Sequence, residues 1–306
     1  MSINSDRPKI LKFHKRQFCY LSSQLVSQVY DVNLYNDCSN NSNRNHLSNS
    51  ELKILEAIMT KQISLNTLWD SATSKDRLFH SDEFAHLPEA ARQYLEHAIA
   101  PGTAIASAVR LQMHGEIKLK NWIPFKAEQV ICWEHGLIWS ATAWMNGLPI
   151  VGSDRIIDGI GAMQWKLLGI FPVMIASGSD ITRSAIGRLQ SESMLLPSVF
   201  CDDEVSWTTM DSSHLHSSFV VQGEKAELDF TIDRTGRLKT FKLPRWNNLD
   251  GSEFHYMDFG GIMEEEGTFS GYTIPTRLRV GWYFGTDRFE SEGEFFRATI
   301  DDAIYR

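Results

Sequence analysis

Arg188 and Glu192 are the residues whose types and spacing come closest to a chemistry. They fall at i and i+4 in the stretch Asp180–Met194 and share a stripe with Ile181, Ala185 and Leu189, so both charges sit on the face a helix turns inward. A guanidinium there can meet an acidic headgroup, and the carboxylate can hold the arginine or act as general acid or base. A solvent-exposed pair in this order would contribute only a few tenths of a kcal/mol, so the buried and the surface readings both stay open. Asp154 and Asp158 lie four apart on one expected strand and would share a face, an arrangement compatible with two-carboxylate glycoside chemistry. Asp158-Gly159 reads equally well as the turn that ends the strand. His214 and His216 share a strand face but lack a third ligand, which favours solvated histidines over a metal site. Gly159-Ile-Gly161 lacks the third glycine of a dinucleotide loop, and no nucleophile elbow, H-E-x-x-H pair or phosphate loop is present. Neither a cofactor nor a metal ion is expected.

The elements that must position these residues follow from periodicity. Asp180 is placed to cap its helix, and Pro197 stops it. Before it, Val109, Leu111 and Met113 alternate with polar residues, and Phe125–Trp133 and Leu137–Met145 flank the turn Glu134-His135-Gly136, which predicts a hairpin. Ile150–Asp158 is a further strand, followed by an apolar segment over Met163–Ala176. After the helix, strands are expected near Glu204–Asp211, His214–Val221, Lys225–Ile232, Arg237–Leu243, Gly267–Ile274, Thr276–Phe284 and Phe289–Tyr305. Glu264-Glu265-Glu266 reads as a solvated loop. Trp207 alternates with Val205 and Thr209, and that face is expected to point into the concavity. Short connections imply antiparallel pairing, and about ten strands are enough to curl a sheet. A helix from about Pro88 to Ala100 carries Ala91, Leu95 and Ala98 on one face, and Ser48-Asn-Ser-Glu51 has the pattern of a capping box opening an earlier one.

Bulk properties bound the function. The chain has 306 residues, 42% of them hydrophobic, nine tryptophans and a net charge of −8. The charge argues against nucleic acid as a partner. No apolar run is long enough for a transmembrane segment, and the N-terminus lacks a signal-peptide core. Arg7–Arg16 is a short basic stretch that suits a solvated tail or contact with an anionic surface. Asn36–Ser50, ten of its fifteen residues Asn or Ser, has the composition of a linker. Cys19, Cys38, Cys132 and Cys201 are widely spaced, which suits reduced thiols and an expected cytoplasmic location. The organisation expected is a lead-in and linker over 1–50, a helical segment over 51–100 and a β-rich domain over 101–306.

A set of short blocks carries a resemblance: Leu87-Pro-Glu-Ala-Ala-Arg92, Trp122-Ile-Pro-Phe-Lys-Ala127, Ile138-Trp139, Asp154…Asp158-Gly-Ile-Gly161, Arg188…Glu192…Pro197, Val205-Ser-Trp207, Gly271-Tyr-Thr-Ile-Pro275 and Trp282. In this order they resemble an uncharacterised bacterial family, a domain of unknown function, over about residues 86–306. Relatives often carry membrane segments ahead of the domain. The family's Arg-Tyr-Leu-Ala-Glu block reads Arg188-Leu-Gln-Ser-Glu192 here, and its frequent tryptophan before Pro197 is Leu196. The pattern also looks like the half-barrel of bacterial lipoprotein-localisation factors, whose concave face holds acyl chains.

The fold expected is α+β: a curved antiparallel sheet of about ten strands, half-barrel or barrel-like, with packed helices. The function expected is binding of a hydrophobic or amphipathic small molecule in the concavity, with Trp139, Trp207 and Trp282 as walls and Arg188 meeting an acidic headgroup. The alternatives are a metal-independent enzyme using Glu192, Asp154 or Asp158, and a protein-interaction module using the same surface. An enclosed pocket favours the first two and a shallow apolar patch the third. Nothing in the sequence sets the oligomeric state.

Overall fold

The computed structural model describes residues 63–306, apart from Lys75, Asp250 and Ser252. The lead-in, the linker and the capping box at Ser48–Glu51 lie outside the described residues. Among the described residues, three α-helices, α1 (Leu65–Asp70), α2 (Glu89–Ala98) and α3 (Ser179–Ser191), accompany thirteen strands in a single antiparallel sheet. Six strands precede α3: β1 (Ala108–Lys118), β2 (Trp122–Cys132), β3 (Gly136–Met145), β4 (Leu148–Ile157), β5 (Ile160–Leu167) and β6 (Phe171–Ser177). Seven follow it: β7 (Ser206–Thr209), β8 (His214–Val221), β9 (Glu224–Ile232), β10 (Leu238–Asn247), β11 (His255–Phe269), β12 (Tyr272–Trp282) and β13 (Glu294–Tyr305).

The spatial order is β6-β5-β4-β3-β2-β1-β13-β12-β11-β10-β9-β8-β7. The chain meanders outward from β1 to one edge, crosses by α3 to the other edge, and meanders back until β13 pairs with β1, from Val109 opposite Tyr305 to Ile117 opposite Phe296. Helix α3 touches β4, β5 and β6 on one wing and β9 and β10 on the other. In a flat sheet, β5 and β10 would stand about 38 Å apart, at about 4.8 Å per strand, whereas a helix is only about 10–12 Å across. The sheet therefore curls around α3 into a half-barrel, with β6 and β7 as its two edges. The concave face is the core; α3 fills its middle, the 3-10 turn at Glu192–Leu195 continues from it toward β12, and α2 with the 3-10 turn at Pro197–Cys201 covers the β7–β9 side.

The class is the one expected, with more strands. The apolar segment Met163–Ala176 is the body of the β5–β6 hairpin. Gly161 belongs to β5 because the helix lies on it: its N–H donates to Thr182 Oγ1 at 2.9 Å, and a Cβ there would fall 2.6 Å from Thr182 Cα. The single strand expected over Gly267–Ile274 is instead a hairpin tip: β11 ends at Phe269, Ser270-Gly271 is the turn, and β12 begins at Tyr272, with Gly267 opposite Ile274. Glu264, Glu265 and Glu266, expected in a loop, lie on β11, where Arg277 and Arg279 of β12 pair across the ladder with Glu264 and Glu265. Cross-strand charge pairs of this kind make an acidic strand tolerable. Asp180 does not cap α3. Gly178 occupies the cap, and the Asp180 carboxylate accepts from Trp246 Nε1 at 2.9 Å, tying the helix start to β10.

Candidate functional site

The concavity beside α3 holds about 1230 Å³ of space not filled by atoms, its mouth included, of which about 140 Å³ is clear of the walls. Its walls are mostly apolar and come from both wings, with Met113 and Trp139 on one side and Phe259, Trp282 and Phe296 on the other. The helix stripe faces this space: Ile181, Ala185, Arg188 and Glu192 line it, and Leu189 is fully buried beside it.

One polar cluster interrupts the apolar wall. Arg188 Nε donates to Glu192 Oε1 at 2.7 Å and Nη1 to Asp154 Oδ2 at 3.3 Å. Trp165 Nε1 donates to the second Asp154 oxygen at 2.9 Å, and Gln129 Nε2 donates to the second Glu192 oxygen. All four carboxylate oxygens thus have a donor from the protein. The guanidinium lies 5.0 Å from the centroid of the Trp139 ring, a cation–π contact. These three charged side chains are 15–16% exposed. Burial disfavours the charge on Arg188, but the Glu192 and Asp154 carboxylates more than restore it and its pKa stands above the usual value. Burial pushes the Asp154 carboxyl upward, with Arg188 and Trp165 pulling the other way.

A second arginine lines the same space from the other wing. Arg245 lies on β10, whose inward face runs Phe241, Leu243, Arg245, Asn247. Its Nε donates to the Ser184 carbonyl of α3 at 3.2 Å, and its guanidinium sits 4.7 Å from the Phe259 ring centroid and 5.4 Å from that of Trp282. Gly187 makes room for its stem, since a Cβ there would fall 2.8 Å from Arg245 Cγ. No carboxylate of the described residues forms an ion pair with it. Burial, and then the neighbouring Arg188 cation, pull its pKa down to about 9, against the attraction of Glu192 and Asp154; it remains a cation at neutral pH.

The sequence-derived candidates therefore separate. Trp139, Asp154, Arg188, Glu192 and Trp282 converge on the cavity. Asp158 does not: it follows β4 in a left-handed turn conformation (φ 46°), is exposed, and accepts from His135 Nδ1 at 2.9 Å. The shared face expected for Asp154 and Asp158 fails because β4 ends at Ile157 and the turn re-aims the next side chain. Trp207 points inward as expected, but it packs among Tyr94, Phe200 and Phe230 and borders a separate hollow of about 260 Å³ near Asp202 and Asp203. His216 pairs with Asp229 and Glu227. Among the described residues, no group of three or more His, Cys, Asp or Glu is placed to hold a metal ion. Cys132 and Cys201 are buried free thiols, and no described helix is long and apolar enough to cross a membrane.

Arg245 and Gln129 are the site residues that sequence reading missed. The inward alternation from Phe241 through Leu243 points to Arg245, but Pro244 looks like a strand stop. It is tolerated because β10 pairs with β9 only as far as Lys242, so Pro244 sits where the ladder is one-sided.

Sheet and site together define an open antiparallel half-barrel with one charged cluster in an apolar concavity. The chain belongs to the Family of unknown function (DUF6920), whose profile matches residues 85–305. Two solved structures are similar in fold. One is a domain named for outer membrane lipoprotein sorting, from Vibrio parahaemolyticus, with 7% identity and a TM-score of 0.38 over 74% of this chain and 94% of that one. The other is a LolA superfamily protein from Nitrosomonas europaea, with 10% identity and a TM-score of 0.39 over 71% and 92%. No curated protein matches the chain. The expected cytoplasmic location is withdrawn: the first of these neighbours is named for outer membrane lipoprotein sorting, and reduced thiols do not by themselves set a compartment.

Proposed function

We propose that this protein binds a hydrophobic or amphipathic small molecule in the concavity beside α3. The observation that carries the reading is the composition of the wall: apolar side chains from both wings, interrupted by charged groups concentrated on α3 and the strands it faces. Ligand sites are typically mostly apolar with a few placed polar groups, and a core built only for stability would fill such a space. An enzymatic reading, with Glu192 or Asp154 moving a proton, has less support, because each of their oxygens is already held by Arg188, Trp165 or Gln129.

The test is mass spectrometry of the organic extract of the purified protein, together with titration by the neutral dye N-phenyl-1-naphthylamine. The expected result is a co-purifying amphiphile in near-stoichiometric amount, or saturable dye uptake that Trp139→Ala and Trp282→Ala weaken. A protein that carries nothing and takes up no dye would end this reading.

A further inference from the structure

Three arginines line the cavity, Arg155, Arg188 and Arg245, and the last two have opposite bonding. Arg188 has two carboxylates on it, so the headgroup role expected for it is already filled by the protein's own side chains. Arg245 spends only its Nε, on a helix carbonyl. A guanidinium has five N–H donors, and among the described residues nothing accepts from its two terminal nitrogens. These nitrogens belong to a residue that lines the cavity and are not among the sealed, unsatisfied polar atoms, so they reach open space.

Leaving a cation in this state is costly unless something compensates it, yet the surroundings hold it in place. Phe259 and Trp282 flank the guanidinium, the Ser184 carbonyl fixes its Nε, and Gly187 clears the path of its stem at the cost of a glycine inside a helix. Asn247, two residues further on the same strand face, also lines the cavity and has an amide N–H without an acceptor. Its orientation is set, because its Oδ1 accepts from the Asn248 N–H at 2.8 Å. The Asn247 amide N–H is itself sealed from open space, so the donors this side offers to the cavity are the terminal nitrogens of Arg245.

We infer that Arg245 is the anion receptor of the cavity and that the ligand is an amphiphile with a carboxylate headgroup, its headgroup on the Arg245 terminal nitrogens and its chain along the apolar wall. The inference rests on the binding function proposed above. A planar carboxylate matches the two-pronged guanidinium. About 140 Å³ of clear space accepts the headgroup and a few methylenes, being close to a cavity known to hold benzene, and the remaining chain runs along the wider groove.

The test is calorimetric titration of the full chain with decanoate and with decanol, in the unaltered protein and in Arg245→Gln and Arg245→Lys. The unaltered protein should bind decanoate about tenfold or more tightly than decanol, as a charge-assisted pair implies. Arg245→Gln should abolish that preference while leaving decanol affinity within about twofold, and Arg245→Lys should restore part of it. If the preference survives in Arg245→Gln, or never exists although decanol binds, the inference is overturned and the binding function stands. If neither compound binds and the neutral dye is also refused, the binding function itself falls. Circular dichroism of the apo variants guards against misfolding. Arg188→Met should lower the melting temperature more than Arg245→Met, because only the first strips a cation from carboxylates that need it; an equal drop in both would also overturn the inference.

Discussion

The two halves of the concave face solve the same problem differently. On the α2 side, Tyr94, Phe200, Trp207 and Phe230 fill the curl with rings, with centroids 5.4 Å apart for Phe200–Trp207 and 5.6 Å for Tyr94–Phe230. On the α3 side, Trp139 and Trp282 each face a guanidinium, and space is left between them. Trp207 and Trp282 are equally buried, at 8% exposure each, so burial does not distinguish filling from site-building. Rings pack on rings in both halves, and what differs is the cation added on the α3 side, whose polar end must be left somewhere to go.

The largest expected effect tests this contrast directly. Trp207→Ala should cost about 3–5 kcal/mol, as for other buried aromatic truncations. Trp282→Ala should cost nearer 2 kcal/mol, because the ring borders the concavity as well as packing on Phe259 and Phe295. Urea denaturation of both variants gives the two numbers, and equal costs would erase the distinction between the halves. Next is the charged cluster. Arg188→Met leaves Asp154 and Glu192 without their cation and should cost about 3 kcal/mol. Adding Glu192→Leu should recover part of this, with Asp154 then taking a proton beside Trp165. A double variant as costly as the sum of the singles would show that the cluster does not act as a unit.

The outer face supplies the smallest effect and the reference for the other two. Burial opposes protonation of His216, but Asp229 and Glu227 outweigh it and raise its pKa. A raised folded-state pKa means that the stabilisation is full below about pH 6.5, the ordinary histidine value, and is lost as pH rises through the raised one. His216→Gln should therefore be less stable than the unaltered protein at pH 5.5, by under about 1 kcal/mol since these groups are well solvated. The gap should close by pH 9. A gap that widened with pH would reverse the sign of the coupling.

What could be read in the sequence was what repeats within a few residues. The α3 stripe, the turn at Glu134-His135-Gly136 and the inward facing of Trp207 all come from local period. The surroundings of Arg188 divide accordingly: Glu192, one turn away, was legible as its partner, whereas the pairing with Asp154 and the approach of Gln129 to Glu192 and of Arg245 to the cavity come only through the curl of the sheet. β11 was hidden for a related reason. Three consecutive glutamates look solvated until Arg277 and Arg279 on the next strand are placed beside them. Asp158 failed in the opposite direction, since a period-two extrapolation ran one residue past the end of its strand.

The order of the strands has a consequence for synthesis. Every neighbouring pair except one joins strands consecutive in the chain; the exception is β1 with β13. A ribosome delivers residues 108–177 long before 294–305, so the first wing can form hairpin by hairpin while the outer side of β1 offers unpaired N–H and C=O groups to any strand that passes. The seam is sealed only when β13 has been made, and it lies in the middle of the sheet. The emergence of β13, more than that of any earlier strand, is thus the moment at which the two wings become one sheet.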